Sequence, residues 1–170
     1  CGMVFGMTLA CLSKENGIML AAYVWVIEAT LFAELSKPPR WKIWLGIFVY
    51  LPLVLAVAYL VLRGEAIFAG YQLRDFSLAE RLLTESRILI EYLGKIFLPR
   101  PLSLGLLYDD YPISRGLFEP LSTVLALAAI AALLGVAIKY RLRHAVLSFA
   151  IGWFFAGHAL EATVIPLELY

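Results

Sequence analysis

Ile43-Trp44-Leu45-Gly46-Ile47-Phe48-Val49-Tyr50-Leu51-Pro52-Leu53-Val54-Leu55-Ala56-Val57-Ala58-Tyr59-Leu60-Val61-Leu62 is the stretch on which the fold turns. It carries no charged side chain and matches the roughly 20 apolar residues that a helix needs to cross a bilayer core about 30 Å thick. A basic segment precedes it, Ser36-Lys37-Pro38-Pro39-Arg40-Trp41-Lys42, whose two prolines stop a helix. Working outward, similar runs occupy 1–12 (the end of a helix), 17–33, 120–138 and 145–165. The pattern predicts an all-α integral membrane protein with about five transmembrane helices, the first partial. All of 1–170 then belongs to one partial transmembrane domain.

Composition agrees. Hydrophobic residues make up 62% of the 170-residue chain, and the mean hydropathy is +0.85. Soluble domains sit near 45–50% apolar, and a chain of this size could bury a core without hiding so much apolar surface. The net charge of +1 says little as a total, because the charges cluster between apolar runs. No basic patch on a polar fold appears, which excludes nucleic-acid binding. The two cysteines, Cys1 and Cys11, would lie about 15 Å apart on one helix, too far for a disulfide. With no initiator Met at Cys1 and an apolar run before Tyr170, an internal piece of a longer protein is expected.

A second short basic loop, Lys139-Tyr140-Arg141-Leu142-Arg143-His144, joins the last two runs. The positive-inside rule places both basic loops in the cytoplasm. Alternation then sends Ser13–Asn16, the long segment 63–119 and Glu168 outward. Within 63–119, Ser77-Leu78-Ala79-Glu80 is a capping box. It opens an interfacial helix over about 77–97, with Glu80, Thr84, Arg87, Glu91 and Lys95 forming a polar stripe. Leu82, Leu83, Leu89, Ile90, Leu93, Ile96 and Phe97 fill much of the rest. That pattern suits a helix on the outer membrane surface, packed against the bundle.

Four polar groups share the expected outer side. Lys14 lies in the tight turn Ser13-Lys14-Glu15-Asn16-Gly17, beside a helix N-terminus whose free N–H groups suit an anion. The same turn also reads as an ordinary interfacial loop with a snorkelling Lys. His158 and Glu161 stand at i, i+3 on one helix face. Counted at ~1.5 Å per residue from Ala145, they reach the outer third of the core, where ionisable groups face a bundle interior or wet cavity. A structural pair bonded to a neighbouring helix is the bland alternative. Asp109-Asp110 adjoins Tyr111-Pro112 and offers a base, a metal ligand or a plain acidic turn. Arg87 and Arg100 suit phosphate contacts, although surface helices carry arginines routinely. A fifth group, Glu28, lies well along its run and reads as structural. There is no Walker loop, no G-x-G-x-x-G and no convincing metal or Ser-His-Asp spacing. No metal site is expected.

Four stretches carry a resemblance: Ser13-Lys14-Glu15-Asn16-Gly17; Leu98-Pro99-Arg100-Pro101-Leu102-Ser103-Leu104; Asp109-Asp110-Tyr111-Pro112-Ile113-Ser114-Arg115-Gly116; and Trp153 through Glu168. They resemble bacterial membrane proteins with a C-terminal tetratricopeptide-repeat region. Those look related to the transmembrane and tetratricopeptide-repeat O-mannosyltransferases of the GT-C glycosyltransferase type. The resemblance implies a GT-C-like fold in the bacterial inner membrane with a periplasmic working face. It implies transfer of a sugar or glycan from a polyprenyl-phosphate-linked donor to an extracytoplasmic acceptor such as protein Ser/Thr. Lys14, Arg87, Arg100 and His158 would bind the lipid phosphate and stabilise it as it gains charge. A carboxylate would deprotonate the acceptor hydroxyl. In this family that base usually lies in the first outer loop, which would precede Cys1, so Glu15, Asp110 and Glu161 are candidates for support or substitute roles. The partners implied are membrane lipid, the lipid-linked donor and a protein or glycan acceptor; no cofactor is firmly implied. A transporter or flippase of lipid-linked glycans, or a non-catalytic envelope-assembly scaffold, would present many of the same features.

Overall fold

A computed structural model describes residues 2–13, 15–72, 74–99 and 111–163, with the backbone alone for Val4, Glu15 and Ala66. Among these residues every regular element is helical. In chain order they are α1 (Gly2–Ser13), a 3-10 helix (Glu15–Met19), α2 (Leu20–Ala29), α3 (Trp41–Leu45), a π-helical turn (Gly46–Tyr50), α4 (Leu51–Leu62), α5 (Gly64–Tyr71), α6 (Leu78–Phe97), α7 (Ser122–Lys139) and α8 (Ala145–His158). The chain divides into two compact units. Cys1–Glu65 with Leu134–Leu160 forms the first, and Ala66–Leu133 with Glu161–Tyr170 the second.

In the first unit, α3, the π turn and α4 run on as one 22-residue helix, Trp41–Leu62. At 1.5 Å per residue it is about 33 Å long, enough to cross a hydrocarbon core. The π turn sits directly before Pro52, and the Leu51 N–H reaches back five residues to the Gly46 carbonyl. A proline ring clashes with the carbonyl four residues earlier and offers no N–H, so widening the preceding turn relieves the conflict. Only 6% of this helix's most apolar window is buried, so its apolar side chains look outward almost all round.

Gly17 sets the first hairpin. A Cβ there would collide with the backbone of Ala10 and Cys11, so the turn after α1 closes only around glycine. α2 ends at Ala29, earlier than the apolar run to 33 suggests. The Thr30 N–H and hydroxyl both bond the Val26 carbonyl, the hydroxyl at 2.6 Å. Lys37 then caps the exit, its ammonium 2.6 Å from the Phe32 carbonyl and 2.7 Å from Glu28 Oε2. Glu28 is thus neutralised by the basic loop, a structural role. α2 packs on α8 through Tyr23 stacked on Trp153 at 4.2 Å and Val26 against Gly152.

The second helix long and apolar enough to cross a membrane is Ser122–Lys139, with 17% of its window buried. Asn16–Ala29 and Ala145–His158 are apolar but shorter. Among the described residues two helices therefore meet the length of a span, against an expectation of about five; the end of the run 145–165 lies outside them.

In the second unit, Tyr71, Phe76 and Ile88 form a small apolar core, joined by Ile67, Leu78, Tyr92, Tyr111 and Ile113. α6 begins at the capping box read from sequence. The Ser77 hydroxyl accepts from the Glu80 N–H at 3.3 Å, and the Ser77 N–H donates to Glu80 Oε2 at 2.8 Å.

Candidate functional site

α6 presents the polar residues of the second unit. Its inward side mixes polar and apolar residues: Arg81, Thr84, Glu85, Ser86 and Ile88 are buried, while Leu82, Ile96 and Phe97 are exposed. Arg81 is 1% exposed, so its charge depends on its partners. It pairs with Glu85 at 3.0 Å and donates to the carbonyls of Glu161 at 2.9 Å and Thr163 at 3.3 Å. A guanidinium has the fork of donors to do all three at once. Arg81 therefore ties α6 to the segment that carries Glu161.

The stripe foreseen at Glu80, Thr84, Arg87, Glu91 and Lys95 is present, and it grips the segment 111–115. Glu80 meets Arg115 at 2.9 Å. The Ser114 N–H donates to the Thr84 hydroxyl at 2.9 Å, and Thr123 donates to the Ser114 hydroxyl at 2.9 Å. Arg87 Nη1 donates to the Pro112 carbonyl at 2.8 Å and contacts Ser114 Oγ at 3.2 Å. Its guanidinium lies over the Tyr111 ring, 4.9 Å from the centroid. Glu91 is bonded to Lys95 at 2.9 Å and to the Tyr111 side chain. Arg87 keeps Nε and Nη2 without a protein acceptor among the described residues, which leaves donors for an anion.

The electrostatics follow this packing. Glu80 is held below the usual carboxylate range, first by the Ser77 N–H and then by Arg115. Burial raises Tyr111, opposed by the Arg87 charge and reinforced by Glu91. Tyr92 is raised by burial and then by Glu85, with Glu91 and Glu161 adding to it. Glu161 therefore acts on the same stretch of α6 as the Arg81–Glu85 pair. Beside the N-terminus of α6 an open cavity of about 710 Å³ is lined by Phe68, Tyr71, Phe76 and Leu82, with Arg74 and Asp75 among its polar groups.

Among the expected site residues, Arg87 and Glu161 both belong to this unit, each held by a contact involving α6. His158 belongs to the first unit, its Nδ1–H donating to the Phe154 carbonyl at 2.9 Å and its ring against Phe154 at 4.5 Å. Lys14, Arg100 and Asp110 lie outside the described residues, as does the Glu15 side chain. Tyr111, the residue after Asp110 in sequence, is the one against Arg87. The reading of the sequence missed Arg81, Glu85, Ser114 and Thr123. The i, i+4 spacing of Arg81 and Glu85 was the available signal for the first pair. Ser114 and Thr123 had none, because they meet through chain folding. Among the described residues no three His, Cys, Asp or Glu side chains gather to hold a metal.

Among the described residues the fold is all-helical, with two helices long and apolar enough to cross a membrane. No protein-family model, curated protein or solved structure matches it.

Proposed function

We propose that this chain is part of an integral membrane glycosyltransferase of the GT-C type, in the bacterial inner membrane. It would move a sugar or glycan from a polyprenyl-phosphate-linked donor to an extracytoplasmic acceptor such as a protein Ser or Thr hydroxyl. The observation that carries the proposal is the orientation of α6. It buries Arg81 beside Thr84 and Glu85, leaves Arg87 Nε and Nη2 without an acceptor among the described residues, and exposes the apolar Leu82, Ile96 and Phe97. A lipid phosphate needs both: apolar surroundings for its chain and fixed cations for its head.

In the reaction, the acceptor oxygen bonds to the anomeric carbon while the bond from that carbon to the phosphate oxygen breaks. The acceptor proton passes to a carboxylate, and the electron pair leaves on the lipid phosphate. Lys14, Arg87, Arg100 and His158 would stabilise that growing charge. Glu15, Asp110 and Glu161 are the candidate carboxylates.

The test is transfer of radiolabelled sugar from polyprenyl phosphate by the full-length protein in membranes. Lys14→Ala should abolish transfer, and Arg87→Ala should cut it at least about 100-fold, with membrane levels unchanged. Full activity in both variants would remove the phosphate site. Movement of labelled lipid across proteoliposomes without covalent transfer would assign the chain to flippases instead.

A further inference from the structure

The end of the first unit formed by its two basic loops is a second charged surface, independent of α6. Contacts between α2 and α8 fix how those loops are placed. Tyr23 reaches Gly157, where an added Cβ would lie 2.8 Å from its hydroxyl, and Val26 reaches Gly152, where Cγ1 would lie 3.0 Å away. The number rises along α2 as it falls along α8, so the helices are antiparallel. Continued at 1.5 Å per residue, this register sets the exit of α2 beside the start of α8. The segment 30–42 and the segment 139–144 therefore emerge at the same end.

That end is strongly basic. Arg40, Lys42, Lys139, Arg141 and Arg143 are exposed, and among the described residues none is ion-paired. Lys37 alone is neutralised, by Glu28; Glu34 is the other carboxylate of the loop. Aromatic rings stand among the cations. Trp41 and Trp44 are stacked at 4.5 Å and 10°, Lys37 lies 5.3 Å from the Trp41 ring, and Lys139 lies 5.4 Å from that of Tyr140. Arg40 has a positive φ of 67° at the residue before Trp41, a conformation in which a side chain is strained without compensation. The apolar helix Trp41–Leu62 begins directly behind this collar.

We propose that this collar binds the headgroups of anionic phospholipids in the leaflet it faces. Stacked indole rings belong at the depth of the headgroups, and unpaired guanidinium and ammonium groups beside them complement phosphodiester charge. The proposal rests on the chain being membrane-embedded and is independent of any glycosyl transfer.

The test uses the full-length protein reconstituted in phosphatidylcholine vesicles with and without phosphatidylglycerol. Trp25→Phe and Trp153→Phe, with any flanking tryptophans likewise replaced, leave Trp41 and Trp44 as reporters. Brominated phosphatidylglycerol should quench their fluorescence with several-fold greater apparent affinity than brominated phosphatidylcholine. High salt should weaken the preference, since exposed charges are screened. Replacing Arg40, Lys42, Lys139, Arg141 and Arg143 with Gln should abolish it, each cation accounting for up to about fivefold. The Arg40→Gln/Lys42→Gln and Arg141→Gln/Arg143→Gln pairs, made separately, should each lower it. Equal quenching by the two lipids, or a preference that survives all five changes, would overturn the proposal. Failure of the membrane reading looks different: neither brominated lipid would quench, and alkaline carbonate would strip the protein from the vesicles.

Discussion

Gly17 and Gly46 show how the same residue type answers to two environments. At Gly17 a methyl group would enter the backbone of Ala10 and Cys11, whereas at Gly46 nothing lies within 4 Å of the added carbon. Backbone atoms cannot swing aside as a side chain does, so overpacking there costs at least the usual 1–3 kcal/mol, about 3 or more. Gly46→Ala meets open space and should be neutral or gain up to about 1 kcal/mol from helix propensity. Thermal unfolding in one detergent should separate the two variants clearly. A Gly17→Ala protein as stable as the parent would show that the α1 hairpin closes differently. Glu80 offers a pH reading at the same scale. Its folded pKa lies below the ordinary value, so its contribution is complete above that value and is lost as pH falls through the depressed one. The Glu80→Gln variant should lose that acid-side slope in stability, and an unchanged slope would assign it to other carboxylates.

At the level of the element, α6 separates what the sequence discloses from what it cannot. The capping signal Ser77–Glu80 and the polar stripe are local, and a periodicity of 3.6 exposes both. Periodicity does not say which face turns inward. Here the inward side combines polar and apolar residues, with Arg81, Glu85 and Ile88 buried and Phe97 exposed. The deciding partners are distant in sequence: the carbonyls of Glu161 and Thr163 for Arg81, and Ser114 for Thr84. No local rule could have found them. The same limit applies to the apolar runs, whose existence was legible but whose helical ends were set by Thr30 and Lys37. The buried pair yields a mutational signature. Glu85→Leu alone removes the carboxylate paired with the buried Arg81 and should cost about 3–5 kcal/mol, while Arg81→Met with Glu85→Leu should recover a large part of it. Ser77→Ala should cost about 1 kcal/mol through the lost cap. A Glu85→Leu protein within about 1 kcal/mol of the parent would mean that partners such as the Glu161 and Thr163 carbonyls, not Glu85, carry the Arg81 charge.

For the whole molecule, the decisive quantity is the side of the membrane on which each loop lies. Among the described residues two helices have the length to cross, and neither buries much of its surface in protein. Basic loops are retained in the cytoplasm because positive charge resists translocation, whereas a long, nearly charge-balanced segment such as 63–119 can be exported. Under the proposed topology the loops at 36–42 and 139–144 would be cytoplasmic and 63–119 extracytoplasmic. Single cysteines can read this directly. With Cys1, Cys11 and any flanking cysteines replaced by Ala, Arg141→Cys should react with a membrane-impermeant maleimide only after the inner membrane is opened. Gly116→Cys, which meets nothing within 4 Å, should react in intact spheroplasts. The parent position of the first is exposed and that of the second half-buried, so labelling after opening controls for access. Labelling of the residue 116 variant only after opening would put 111–120 in the cytoplasm. An extracytoplasmic acceptor could not then meet the α6 face that grips this segment, and the glycosyltransferase proposal would fall with the topology.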